Sequence, residues 1–192
     1  DDAGGRVDVG AGPEGGQDAA EWAQVHARIL TPGLHPPHRL AIDWAMDIAT
    51  LTDLLPQLEH LRAAHRRQPP DYRQRIADLD RLAAAVRGHR EELVKAISAD
   101  FGRRSRHETL VAEVMTTLDE IDYARKHLRA WMRPRRRAMN LSFLPARAEI
   151  RYQPLGVIGV VAPWNYPFQL GLIPLASAIA AGNHVMLKPS EF

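Results

Sequence analysis

From about residue 46 onward the apolar positions fall at helical spacing. In "MDIATLTDLLPQLEHLRAAHRRQ", Leu51, Leu54, Leu55, Leu58 and Leu61 recur every three or four residues, which predicts an amphipathic helix. A second helix is predicted in "PPDYRQRIADLDRLAAAVRGHREELVKAISADFG". Asp71 can cap its start, and Ile76, Leu79, Leu82, Ala83 and Val86 form its stripe. Gly88 divides it, Leu93 and Ile97 continue it, and Gly102 follows its end. A third, "HETLVAEVMTTLDEIDYARKHLRAWM", puts Leu110, Val114, Leu118, Ile121, Leu128 and Trp131 on one face and stops before Pro134. Together these predict an antiparallel helical layer.

Past the basic turn "RPRRRAMN" the period changes to two. "LSFL" and "AEIRYQ", on either side of Pro145 and Ala146, predict a β-hairpin that ends before Pro154. "GVIGVV" is nearly all apolar, as expected of a parallel strand buried on both faces. Pro167 stands where a helix can start; Phe168, Leu170, Leu172, Ile173, Leu175 and Ile179 fill that helix, and Gly182 closes it where positive φ is easiest. "HVMLK" follows as a second strand. Strand, helix and strand in so short a span is the βαβ unit of a doubly wound sheet, so the fold class is α/β with a Rossmann-type parallel sheet beneath a helical layer.

The first 45 residues share none of this order. Residues 1–20 are rich in Gly and Asp with few large apolar groups, and Pro32, Pro36 and Pro37 break the next stretch. Such a segment buries too little to offset the entropy of ordering it. Residues 1–45 therefore read as disordered or extraneous, with Met46 as a natural start.

Composition narrows the partners. Lys+Arg 25 against Asp+Glu 23 gives a formal net charge of +2, which makes no case for nucleic acid or an anionic membrane. No apolar run reaches the roughly 18 residues of a membrane span, and no signal peptide is seen, so a cytoplasmic protein is expected. His35 and His38 are separated by two prolines and have no third ligand nearby, so no metal site is predicted. Arg133, Arg135, Arg136 and Arg137 read as a solvated turn, and Glu108, Glu113, Asp119 and Glu120 as the wet face of the third helix.

In a doubly wound sheet, ligands bind beyond the carboxyl ends of the strands. Here those ends carry Pro163-Trp164-Asn165 and Lys188-Pro189-Ser190-Glu191, the polar groups of an otherwise apolar stretch. "GNHVMLKPS" is not a phosphate loop, because it lacks the glycine before Lys188 and sets that lysine at a strand end.

The run "PLGVIGVVAPWNYPFQLGLIPLASAIAAGNHVMLKPSE" resembles the first cofactor-binding segment of the aldehyde dehydrogenase superfamily. Upstream, "AISADFG", "HETLVAEV", "LRAWMRPRRR" and "RYQPLG" resemble the branch that includes coniferyl aldehyde dehydrogenases, and the likeness covers about residues 46 to 192. The resemblance implies a division into residues 46–139 as the helical part of the cofactor domain, 140–153 as the hairpin of an oligomerisation element, and 154–192 as the first βαβ of the NAD-binding domain. It implies that Asn165 donates its side-chain amide to the oxyanion formed when a cysteine thiolate attacks an aldehyde. It also implies that Lys188 and Glu191 hold the adenosine ribose, with Ser190 beside them and Pro163 and Trp164 against the cofactor. A carboxylate such as Glu191 favours NAD, with NADP as the alternative. Tyr166 either lines the tunnel for an aromatic or long apolar aldehyde or packs at the helix start. A homodimer or homotetramer is implied for the complete protein.

The family reaction also needs a cysteine nucleophile and a glutamate base past the Lys-Pro-Ser-Glu motif. The 192 residues contain no cysteine, and no serine stands in a nucleophile pattern. The expectation is therefore an N-terminal fragment, inert by itself. The contrasting reading is a non-catalytic helical interaction module with a vestigial βαβ.

Overall fold

The structure, a computed structural model, describes residues 51–190. Helix α1 spans Leu51–Arg67, α2 Tyr72–Gly88 and α3 Arg90–Asp100. The Asp71 carboxylate caps α2 by accepting the Gln74 N–H at 2.8 Å, and Gly88 closes it as predicted. The expected start of α1 near Met46, the disordered tract, His35 and His38 all lie outside the described residues.

The third predicted helix is one helical rod of changing pitch. A single turn at Arg106–Glu108 runs into a π-helical segment, Thr109–Met115, and then into α4, Thr116–Trp131. Hydroxyls of Thr116 and Thr117 donate back to the carbonyls of Ala112 and Glu113, the latter at 2.6 Å, inside the widened turns. Val114, Ile121 and Leu128 are buried as predicted, and Leu110 and Leu118 pack at the margin of the core. Two expectations fail on this rod. Trp131 is 38% exposed and stacks with His127 on the outer face, ring centroids 5.9 Å apart. Glu113, expected on the wet face, is fully buried, because its carboxylate has partners inside the core.

The hairpin also differs from its prediction. Strand β1 is Arg135–Arg137, and it pairs antiparallel with β2, Ala148–Ile150, in the register Arg135 to Ile150. Leu141–Phe143 is a 3₁₀ turn whose start is capped by Asn140, which accepts the Ser142 N–H at 3.2 Å. That local hydrogen bond takes "LSFL" out of the ladder. The arginine run thus becomes an exposed edge strand, one common way of protecting a sheet edge.

The βαβ unit is β3 (Val157–Val161), α5 (Gln169–Ala180) and β4 (His184–Lys188), with β3 and β4 parallel in the register Val157 to His184. Helix α5 starts two residues after Pro167, because Pro167 and Phe168 form the turn that leads into it. Its apolar face meets α2, α4 and both strands. Phe168, Leu172, Leu175, Leu79, Ile97 and Ile121 are buried together there, each worth about 1.5–3 kcal/mol of burial. Alternation along the strands sends Val160 and Val185 into this core, while His184 turns to the other face. There it meets His65 of α1 edge-on at 5.3 Å.

Candidate active site

Parallel pairing sets the two polar motifs side by side. Val161 pairs with Lys188, and Ala162 N–H donates to Lys188 O at 2.9 Å. The loop Pro163-Trp164-Asn165-Tyr166 therefore leaves β3 next to the point where Lys188, Pro189 and Ser190 leave β4. Pro163, Trp164, Asn165 and Lys188 are exposed, and Tyr166 and Ser190 are half-buried. Glu191 lies outside the described residues.

Asn165 and Tyr166 line an open cleft of about 530 Å³ with Phe101, Gly102, Arg103, Arg104 and Glu108. Trp164 stacks on Phe101 with ring centroids 6.0 Å apart. The Arg104 guanidinium reaches into this group. Its Nη1 donates to Asn165 O at 3.0 Å, and its Cζ lies 4.5 Å from the Tyr166 ring centroid and 4.9 Å from that of Phe101. Arg104 Nη2 is 3.2 Å from Glu108 Oε1. Arg104 Nη1 is also 3.1 Å from Glu113 Oε1, a charge contact that is not aligned as a hydrogen bond.

Glu113 is the hub below the loop. Its Oε2 accepts the N–H groups of Phe168 and Gln169, both at 2.9 Å, so a carboxylate from a distant element satisfies orphan donors at the start of α5. Burial pushes the Glu113 carboxyl above the usual carboxylate range, while these N–H bonds and Arg104 pull the other way. Arg104, Phe101 and Glu113 were not among the residues picked from sequence. Glu113 had a signal: Glu113, Thr117, Ile121, Ala124 and Leu128 recur at three- and four-residue steps, which puts Glu113 on the buried stripe.

A family model for the aldehyde dehydrogenase family matches residues 59–192. The chain belongs to that family. A probable coniferyl aldehyde dehydrogenase from Pseudomonas aeruginosa is 50% identical over 140 residues, covering 70% of this chain and 29% of that protein. Among solved structures, the substrate-bound state of AldH from Staphylococcus aureus superposes with a TM-score of 0.67 at 32% identity, over 71% of this chain and 30% of its own. An NAD-dependent benzaldehyde dehydrogenase from Corynebacterium glutamicum gives 0.63 at 25% identity, over 74% and 30%. The chain thus spans less than a third of the length of these family members. The βαβ, hairpin and helical layer are those of an aldehyde dehydrogenase. Among the described residues, no helix is long and apolar enough to cross a membrane.

Proposed function

We propose that these residues supply the oxyanion donor and part of the dinucleotide cradle of an enzyme that oxidises an aldehyde to its acid with NAD, NADP being the alternative. The carrying observation is the juxtaposition, in an aldehyde dehydrogenase fold, of Asn165 in an open cleft with the adjacent carboxyl ends of β3 and β4. A neutral amide held by a fixed backbone stabilises developing negative charge without a proton change of its own.

The donors at the strand ends fit a dinucleotide. An exposed ammonium, Lys188, and a hydroxyl, Ser190, leave β4 beside the backbone of Pro163 and Trp164, a set suited to ribose hydroxyls. Glu191 completes that set in the proposal and gives the preference for NAD. When bound, the dinucleotide supplies the hydride acceptor. The rest of the chemistry assigned to this chain is binding and orientation: Asn165 toward the substrate oxygen, Tyr166 toward the substrate's apolar body. The aromatic rings of Phe101 and Tyr166, which line the cleft, support an aromatic aldehyde of the coniferyl type.

The thiolate and the water-activating glutamate of the family reaction are not assigned to any of the 192 residues, which include no cysteine. Assembly as a homodimer or homotetramer is supported by the apolar groups around the hairpin: Leu141, Phe143, Leu144 and Tyr152 are each more than 60% exposed. A cytoplasmic location completes the reading.

Two measurements test it. The purified 192-residue chain should form no NADH from an aldehyde. In the complete enzyme, Asn165→Ala should lower kcat about 10²- to 10³-fold with NAD affinity nearly unchanged. An unaffected kcat would exclude the oxyanion role.

A further inference from the structure

Arg104 is an unusual residue to find beside a surface cleft. Its side chain is only 6% exposed, although it leaves a loop between helices. Every face of the guanidinium is occupied: Asn165 O and Glu113 on one edge, Glu108 on another, and the rings of Tyr166 and Phe101 against its plane. Since Phe101 also stacks on Trp164, one side chain and its neighbour hold three consecutive loop residues, Trp164, Asn165 and Tyr166. Glu113 then fastens the same cluster to the first turn of α5, where the loop ends.

Stability alone is a poor account of this arrangement. Burying an ion pair often does no better than an apolar pair of the same volume, and the buried Arg104 Nε has no hydrogen-bond partner. What a guanidinium provides, and an apolar or ammonium side chain does not, is a planar fork that bonds at its edge while stacking on its faces. Two of these contacts fall directly on the segment that carries Asn165, and two more go to groups, Phe101 and Glu113, that themselves hold Trp164 and the start of α5.

We propose that Arg104, anchored by Glu113, is a positioning residue for Asn165: it fixes the peptide carbonyl of Asn165 and the ring of Tyr166, and so sets where the side-chain amide and the aldehyde meet. This rests on the reading of Asn165 as oxyanion donor. Misplacing a catalytic group by about 1 Å can cost on the order of 10²-fold in rate, so loosening the clamp acts on kcat rather than on cofactor binding.

The test uses the complete enzyme with Arg104→Gln, Arg104→Lys, Asn165→Ala and the double variant of Asn165→Ala with Arg104→Gln. Arg104→Lys keeps the charge beside Glu113 but cannot also reach Asn165 O and both rings, so it carries the test if Arg104→Gln fails to fold. The expected result is a kcat loss of about tenfold in Arg104→Lys, with KM for NAD and the melting temperature near wild type. The double variant should be no slower than Asn165→Ala alone, because a misplaced amide cannot matter once the amide is gone. Full kcat in Arg104→Lys, or losses that multiply in the double variant, would overturn the positioning role while leaving Asn165 intact. A normal kcat in Asn165→Ala would instead remove the oxyanion reading, and the role of Arg104 with it.

Discussion

The two ends of α5 are each held by a charged side chain from another helical segment, and the signs are opposite. At the N-terminal end the Glu113 carboxylate accepts two N–H groups. At the C-terminal end the Arg75 guanidinium donates to Ala180 O at 3.2 Å, its Nε bonded to Pro70 O at 2.9 Å. Each charge suits the partial charge of the helix end it meets. They differ in what lies beyond. Arg75 closes a sealed corner where Gly182, Asn183 and His184 are buried, and where His65 Nε2 sits 3.0 Å from Gly182 O. Glu113 opens through Arg104 onto an exposed loop and a cleft. Both ends are stabilised by the same physical device, and the N-terminal one also reaches the loop that carries Asn165.

Breaking the N-terminal end should cost most. Glu113→Ala leaves the Phe168 and Gln169 N–H groups unsatisfied and Arg104 with only the half-exposed Glu108 as its counter-charge, and removing one partner of a buried ion pair typically costs about 3–5 kcal/mol. Denaturant unfolding of the variant chain checks this, and a loss below about 1 kcal/mol would refute it. Glu113→Gln adds a pH signature. A carboxyl whose folded pKa is raised contributes stability that is complete below its unfolded value of 4.5 and is lost as pH climbs through the raised folded value. The stability of wild type relative to Glu113→Gln should therefore fall as pH rises from 4.5. A flat difference would show that Glu113 is not perturbed.

At the sealed end, Gly182 is the sensitive point. Its φ is +87°, and a Cβ built there would lie 2.3 Å from Arg75 Cζ. Gly182→Ala combines a backbone conformation unfavourable to L residues with displacement of the guanidinium, a cost of about 2 kcal/mol. The same unfolding assay measures it. The comparison between the ends predicts no accompanying change in the Asn165 loop, so the Phe101–Trp164 stack, followed by Trp fluorescence, should be unaltered before unfolding.

How much of this could be read from the residues follows from where the information resides. The βαβ, the cap at Asp71, the break at Gly88 and the φ of Gly182 depend on local spacing and local conformation, so a one-dimensional pattern shows them. The loop residues Asn165 and Tyr166 were legible through their place at a strand's carboxyl end and through family likeness. Arg104 and Arg75 were not, because their partners stand 61 and 105 positions away, and nothing near either residue distinguishes it from a solvated arginine. Strand β1 was missed for a related reason: three arginines carry no β signal until β2 supplies a partner. Glu113 was misread because acidic residues are expected outside, although its spacing pointed inward.

The smallest effect belongs to Asp71, and it sharpens the account of the sealed end. Asp71 caps α2 through Gln74 N–H, and its charge also raises the pKa of Arg75, opposing the larger effect of burial, which lowers it. Asp71→Ala should cost about 1 kcal/mol in unfolding free energy, the usual worth of an N-cap. Asp71→Asn keeps a capping oxygen and removes only the charge. If the cap dominates, Asn should restore most of the loss; if Asn is as costly as Ala, the charge beside Arg75 is what matters. The first outcome is expected, because Asp71 is exposed and solvent screens its charge, whereas the cap is a directed bond at 2.8 Å. The sealed end would then rest on fitted contacts among Arg75, Ala180 and Gly182 rather than on attraction between Asp71 and Arg75.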